Sequence, residues 1–154
     1  MILERIGPDR FLVVDDRILD WVARRIPNAH PSWGGRARGL GVSIGADIVA
    51  GMVIFDYDRR FGNAEVAFAA ESPRWATRST IAKLMSWPFG QLGCRRLTTL
   101  IAASNTRAIR FNEGLGFQRE GLIRKAYGDE DAVILGLLRE DLPAWAVAPT
   151  PEIA

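Results

Sequence analysis

The hydrophobic pattern of this chain changes its period partway along the sequence. Apolar residues first come in three short runs, 39–44, 48–57 and 64–70, which are typical of β-strands. Because only a few residues separate these runs, we expect the strands to form an antiparallel meander. From 73 to 92 the apolar residues recur at helical spacing instead. The chain is therefore predicted to be a mixed α/β protein.

The remaining segments continue this mixture of elements. A strand over 11–14 should be followed by a helix that ends at Pro27 and then by a loop. Pro88 lacks a backbone N–H and predicts a kink or an early end of the 73–92 helix. Further elements predicted from periodicity are a strand over 96–102, a helix over 105–115 ended by Gly116, and strands over 117–127 and 132–138.

Length and composition limit the domain organisation. The chain has 154 residues, 48% of them hydrophobic, which suits one domain with a single core. We expect that domain to occupy residues 1–142. Residues 143–154 are rich in Pro and Ala and are predicted to form a loosely held tail.

Charge and residue counts exclude several classes of protein. A formal net charge of +2 is small for a protein that coats nucleic acid. A single cysteine, Cys94, and a single histidine, His30, exclude a disulfide framework and Cys- or His-rich metal sites, so no metal is expected. We interpret Cys94 as a buried small apolar residue. The sequence has neither a membrane-spanning apolar run nor a signal peptide, so a cytoplasmic protein is expected.

The segment 105–121 carries the most specific motif in the sequence. It reads NTRAIRFNEGLGFQREG and is followed by Arg124. It resembles the N-x-x-A/S-I-R…E-K-L-G-F-x-x-E-G segment of the GNAT superfamily of N-acetyltransferases. Residues 75–77 and 87–97 resemble two further segments of that family. The likeness is strongest to ribosomal-protein alanine acetyltransferases and to small GNAT-like proteins of phages and prophages.

This resemblance implies a fold and a reaction. The fold is a single domain with a mixed, mostly antiparallel sheet, flanked by helices, whose central strands splay apart. The reaction is transfer of an acetyl group from acetyl-CoA to a primary amine of a protein, peptide or small molecule. The thioester would lie between the strands 64–70 and 96–102. The acceptor is not indicated by the sequence, and assembly into a homodimer stays open.

The resemblance also implies a cofactor site. Backbone amides of 68–70 would stabilise the oxyanion, and the helix start at 74–79 would bind phosphates. Asn105 would contact the pantetheine arm, either in addition to capping its helix or not at all. The residues implied to bind the cofactor are Phe68, Ala69, Ala70, Arg74, Trp75, Ala76, Thr77, Arg78, Ser79, Asn105, Ala108, Phe111 and Asn112.

Two positions depart from the family pattern. Arg74 stands where the phosphate loop has its middle glycine, and Arg74 and Arg78 form either a phosphate site or a solvated face. Asn112 stands where many members have a tyrosine that protonates the leaving thiolate. Both departures also fit a non-catalytic protein that binds acyl-CoA or a partner. A nucleic-acid-binding accessory protein is a further alternative, which the small net charge disfavours.

Carboxylates near the third meander strand are candidates for the general base. Glu71, just after the strand, is the first candidate, and Glu65, within it, is the second; either would act directly or through water. Glu65 is alternatively a cross-strand partner of Arg59 or Arg60. In the loop before the meander, His30 and Trp33 are either substrate-site groups or, respectively, an exposed side chain and a packed one.

Overall fold

The computed structural model describes residues 1–29 and 33–146. Eight strands form one sheet in the order β1-β2-β3-β4-β5-β6-β8-β7. They are β1 (Ile2–Arg5), β2 (Arg10–Val14), β3 (Ala37–Ile44), β4 (Asp47–Asp58), β5 (Asn63–Ala70), β6 (Arg96–Ala102), β7 (Gln118–Tyr127) and β8 (Glu130–Leu138). The α-helices are α1 (Arg17–Ala23), α2 (Arg78–Ser86) and α3 (Thr106–Leu115). Neighbouring strands are antiparallel except β5 and β6, which are parallel. His30 lies outside the described residues.

The meander predicted from the three apolar runs is confirmed. β3, β4 and β5 pair antiparallel in sequence order, with Gly41 opposite Gly51 and Gly51 opposite Ala69. The structure adds β1, which the sequence did not predict. This strand has only four residues, and its Ile2 and Leu3 side chains are exposed, so no buried face marks it in the sequence.

Glycines bring α1 close to the sheet. A Cβ atom at Gly51 would lie 2.7 Å from Cγ2 of Val22, and one at Gly41 would lie 2.5 Å from Cδ1 of Ile18. Both helix side chains are buried. The absent side chains therefore let α1 pack directly on the centre of the meander, and its carboxyl end reaches the end of β5.

The predicted effect of Pro88 is confirmed. The α-helix ends at Ser86, and a π-helical turn follows over Trp87–Gln91. The amide of Leu92 donates to the carbonyl of Trp87, five residues earlier, at 2.9 Å. A wider turn accommodates the proline because its ring cannot occupy a regular α-helical interior.

The helix predicted over 105–115 is also confirmed. The Asn105 side chain caps α3 by accepting from the Ala108 amide at 3.2 Å, and Gly116 ends the helix with φ of 110°. After α3 the chain forms the outer strand β7 and returns as β8 between β6 and β7.

The residues after β8 that the structure describes are packed. Ala146 is buried, and Trp145 packs against the main core. This part of the predicted loose tail is therefore held against the domain. Residues 147–154 lie outside the described residues, and the domain boundary after 142 stays a prediction. No helix in the described ranges is long and apolar enough to cross a membrane.

Candidate active site

The centre of the sheet is split between β5 and β6. These strands pair only through Asn63–Glu65 and Arg96–Thr98. Beyond that point β5 stays paired with β4 as far as Ala70, and β6 stays paired with β8 as far as Ala102. The predicted splaying of the central strands is therefore confirmed, and it opens a gap at their carboxyl ends.

Backbone amides of β5 face this gap. The amide of Glu71 donates to the carbonyl of Val49 at 3.0 Å, on the β4 side. Because amides of an extended strand alternate in direction, those of Phe68 and Ala70 point to the opposite side, into the gap. They are oriented to donate hydrogen bonds to a carbonyl or oxyanion held there.

One cavity opens from the gap on the side of α3 and has a volume of about 300 Å³. We call it the arginine cavity, because its charged lining residues are Arg25 and Arg107. Nine residues predicted to bind the cofactor line it: Phe68, Ala69, Ala70, Trp75, Ala76, Asn105, Ala108, Phe111 and Asn112. The structure thus brings together most of the predicted site.

An aromatic cluster forms one wall of the arginine cavity. The ring of Phe111 lies 6.0 Å from that of Phe68 and 5.5 Å from that of Trp75, centroid to centroid. Trp75 is 4% exposed and belongs to the core. The wall therefore joins α3 to β5 and offers apolar surface to a ligand in the gap.

The other four predicted cofactor residues lie around the start of α2 and do not line the cavity. They are Arg74, Thr77, Arg78 and Ser79. Thr77 caps α2 by accepting from the Thr80 amide at 3.3 Å. The guanidinium of Arg78 lies 5.3 Å from the Trp145 ring centroid. Phosphate binding at this helix start stays a prediction.

Arg10 is a further basic residue at the start of α2, which the sequence analysis missed. Its guanidinium donates to the hydroxyls of Thr77 at 3.0 Å and Thr80 at 3.2 Å, and to the carbonyl of Arg74 at 3.3 Å. These acceptors are neutral, so its positive charge is added to that of the helix start. Arg10 and Thr77 are 67 positions apart, and no local pattern connects them.

A second cavity, of about 410 Å³, lies on the other side of the gap. We call it the carboxylate cavity, because its charged lining residues are Glu65 and Glu130. Aromatic rings form much of its wall, namely those of Trp33, Phe55, Phe68 and Tyr127. The residues common to both cavities are Ile26, Pro27, Phe68, Asn105, Ala108 and Asn112.

Trp33 contributes to this second cavity and is also packed. Its ring lies 5.1 Å from that of Phe55, and its Nε1 donates to the carbonyl of Leu19 at 3.1 Å. The two alternatives considered for this residue are therefore both realised: it is a core side chain that lines a cavity.

Glu65 is half-buried in the carboxylate cavity. Burial raises the pKa of its carboxyl, and the nearby charge of Asp56 raises it further. Burial likewise raises the pKa of the Tyr127 hydroxyl, and the Glu65 charge adds to that shift. Arg60, one cross-strand partner considered for Glu65, pairs with Asp58 instead, at 3.0 Å.

Glu71 has a different environment. Its carboxylate is exposed and forms an ion pair with Arg25 at the end of α1. It lines neither cavity. The two candidate bases therefore differ, since one faces a cavity and the other is held by a guanidinium.

Asn112 lies on the wall that the cavities share, and it is 3% exposed. Its Nδ2 donates to the carbonyl of Ala108 at 2.8 Å. Its Oδ1 has no hydrogen-bond partner among the described residues. A buried acceptor without a partner is costly, and a ligand N–H in the gap would satisfy it.

The sulfur and metal chemistry available near the site is limited. Cys94 is fully buried, as the sequence predicted, and burial raises the pKa of its thiol to about 11. Across 1–29 and 33–146 no group of three or more His, Cys, Asp and Glu side chains could hold a metal ion.

Solved structures resemble this fold closely over most of the chain. A probable acetyltransferase covers 92% of this chain and 99% of its own, with a TM-score of 0.69 and 15% identity. A putative acetyltransferase from T. thermophilus covers 95% and 94%, with a TM-score of 0.68 and 17% identity. The fold is that of the GNAT N-acetyltransferases. A spermidine N-acetyltransferase SpeG variant from Vibrio cholerae shares this GNAT fold, covering 86% and 95% at a TM-score of 0.69 and 15% identity.

The sequence comparison gives a more distant relation. No protein-family model matches the chain. The SPbeta prophage-derived uncharacterized N-acetyltransferase YokL of Bacillus subtilis (strain 168) is 27% identical over 111 residues, which is 68% of this chain. The matched region spans 63% of YokL's own length.

Proposed function

We propose that this chain is an N-acetyltransferase that moves an acetyl group from acetyl-CoA to a primary amine. One observation carries the proposal: the gap between β5 and β6 opens onto one cavity lined by arginines and one lined by carboxylates. Coenzyme A is an anion and an amine acceptor arrives as a cation, so opposite charges on the two sides suit opposite ligands.

The residues of the arginine cavity fit acetyl-CoA. Its apolar wall at Phe111 suits the pantetheine arm, and the Phe68 and Ala70 amides face the place where a thioester carbonyl would lie. The basic start of α2, with Arg10, Arg74 and Arg78, would hold the phosphates. When bound, acetyl-CoA supplies an acetyl group on a thioester, which an amine can attack. The β5 amides would stabilise the oxyanion formed in that attack.

Glu65 is the general base in this proposal. It faces the carboxylate cavity, and its raised pKa gives it greater basicity than an ordinary carboxylate. It would attract the aminium form of the acceptor and take the proton that the nitrogen must lose. Glu71 keeps its ion pair with Arg25, and its place in the mechanism is to hold α1 against the end of β5.

Asn112 would position a substrate N–H through Oδ1 rather than protonate the thiolate. An amide side chain has no acidic proton at neutral pH. The leaving thiolate would take its proton from water, because a free thiol has a pKa of about 8.5.

The experiment that tests this proposal measures binding and turnover separately. Acetyl-CoA at a hundredfold excess over its Kd should stabilise the folded protein by about 2.7 kcal/mol in a thermal melt. An amine panel should then yield acetylated product and free thiol. Stabilisation without any turnover would favour the non-catalytic alternative. A salt-sensitive shift with DNA or RNA, and none with acetyl-CoA, would favour the nucleic-acid alternative.

A further inference from the structure

We propose that the carboxylate cavity binds an elongated dicationic amine. The nitrogen to be acetylated lies between Glu65 and Asn112, and a second positive charge lies at Glu130. This inference rests on the proposed function, because it names the acceptor of that reaction. It goes beyond that function by requiring two charges on one acceptor.

The near end is defined by a buried acceptor without a partner. Oδ1 of Asn112 accepts no hydrogen bond from the described residues, although the residue is only 3% exposed. A protonated amine has three N–H donors and an apolar ligand has none. Asn112 and Glu65 together offer an amine two kinds of acceptor at the wall shared with the arginine cavity.

The far end is defined by Glu130 at the base of α3. The Ser104 amide donates to Oε1 of Glu130 at 3.0 Å, and the Ser104 hydroxyl donates to the same oxygen. These bonds fix the carboxylate and lower its pKa, so it stays ionised. Its Oε2 has no protein donor among the described residues and is available to a cation.

The separation of the two carboxylates sets the length of the acceptor. Glu65 pairs with Thr98, and Ala102 pairs with Ala132, which places Glu130 level with Ser104. Six residues of strand from Thr98 to Ser104 span about 20 Å at roughly 3.3 Å per residue. Flexible side chains shorten the distance between the charges. A short diamine would therefore reach only one end.

The walls between the two ends favour a cation with an aliphatic middle. They are aromatic, at Trp33, Phe55 and Tyr127, and the described lining residues include no Lys or Arg. Ring faces attract cations and bury methylene groups. An acceptor with a carboxylate at its far end would instead meet Glu130 with a like charge.

The direct test compares three acceptors of equal length: 1,8-diaminooctane, n-octylamine and 8-aminooctanoate. Their far ends are positive, neutral and negative. We expect kcat/KM to fall at least tenfold from the diamine to octylamine and further to the amino acid, and 1,3-diaminopropane to fall below the eight-carbon diamine. Glu130→Gln keeps an acceptor for Ser104 and should reduce the ratio of diamine to octylamine at least fivefold. Glu140→Gln, an exposed carboxylate outside the cavity, should leave that ratio unchanged.

The outcomes separate this inference from the proposed function. Turnover of all three eight-carbon amines at similar kcat/KM would overturn the dication inference and leave the acetyltransferase intact. An unchanged ratio in Glu130→Gln would overturn the role of Glu130 in the same way. Acetyl-CoA binding with no turnover of any amine would overturn the proposed function, and this inference with it.

Discussion

Arg25 and Glu71 form an ion pair that joins the end of α1 to the end of β5. Arg25 is itself fixed, since its Nη1 donates to the carbonyl of Trp21 at 2.9 Å and its guanidinium lies 3.6 Å from the Trp21 ring centroid. Because Arg25 lines the arginine cavity, the pair sets the edge of that cavity. Glu71 therefore has a structural partner, whereas Glu65 faces a cavity.

Glutamine at each position should separate the two roles. Glu65→Gln removes the base, and kcat/KM should fall about a hundredfold or more. Glu71→Gln removes a partly exposed ion pair worth about 0–1 kcal/mol, so kcat/KM should fall by no more than about fivefold. Steady-state kinetics on one amine measures both variants. A large loss in Glu71→Gln with near-normal Glu65→Gln would return the base to Glu71.

The environment of Glu65 also predicts a pH dependence of stability. Its pKa is higher in the folded state than in the unfolded chain, so its contribution to stability is fully present below the unfolded pKa and is lost as pH rises through the folded pKa. Glu65→Gln should therefore match the parent protein near pH 4 and exceed it in unfolding free energy at pH 8. Denaturant titrations at the two pH values measure this difference.

Glu120 provides a matched control of opposite sign. Its hydrogen bonds with Arg96 lower its pKa, so its contribution is present above the unfolded pKa and is lost as pH falls through the folded pKa. Glu120→Gln should cost stability at pH 8 and little at pH 4. A pH-independent effect of both substitutions would mean that neither carboxyl titrates differently on folding.

Asn112→Leu should separate stability from activity. The substitution removes a buried oxygen without a partner, which costs about 1–3 kcal/mol, so unfolding free energy should stay equal or rise. It also removes the proposed substrate acceptor, so kcat/KM should fall at least tenfold. A variant that is both stable and fully active would show that Oδ1 meets no substrate.

Arg10→Gln tests the basic start of α2. If Arg10 adds its charge to a phosphate site, the substitution should weaken CoA binding by about tenfold or more, as for a hydrogen bond to a charged group, and pantetheine binding much less. Arg24→Gln, on the exposed face of α1, is the control and should change neither. Calorimetric Kd values for both ligands decide the matter, and equal weakening of both would place the phosphates elsewhere.

Two glycines of similar sequence context should respond with opposite sign to alanine. A Cβ at Gly51 would lie 2.7 Å from Val22, so Gly51→Ala should cost about 1–3 kcal/mol of unfolding free energy. Gly114 lies within α3, and a Cβ there meets nothing within 4 Å, so Gly114→Ala should add about 0.5–1 kcal/mol. A neutral Gly51→Ala would contradict the close packing of α1 on the sheet.

Local signals predicted most of the elements. Asn105 and Gly116 mark the two ends of α3, and the strand predicted over 96–102 has the bounds that the structure gives it. The short strand β1 was missed because it buries no face that alternation could reveal. Capping and periodicity act within a few residues, so they predict elements better than they predict contacts.

The candidate site was predicted in part for the same reason. The motif around Asn105, Ala108 and Asn112 placed one wall of the gap correctly. The preference for Glu71 over Glu65 came from position along the strand alone. Only the folded chain reveals that one carboxylate meets Arg25 and the other a cavity, because Arg25 is 46 positions from Glu71.

The central claim is acetyl transfer across the split between β5 and β6, and one reaction tests it most directly. Acetyl-CoA, 1,8-diaminooctane and the protein are mixed, and acetylated amine and free CoA thiol are counted together. The account predicts equal amounts of the two products, with a rate at least about a hundredfold lower in Glu65→Gln. Thiol release without acetylated amine, or an undiminished rate in Glu65→Gln, would contradict it.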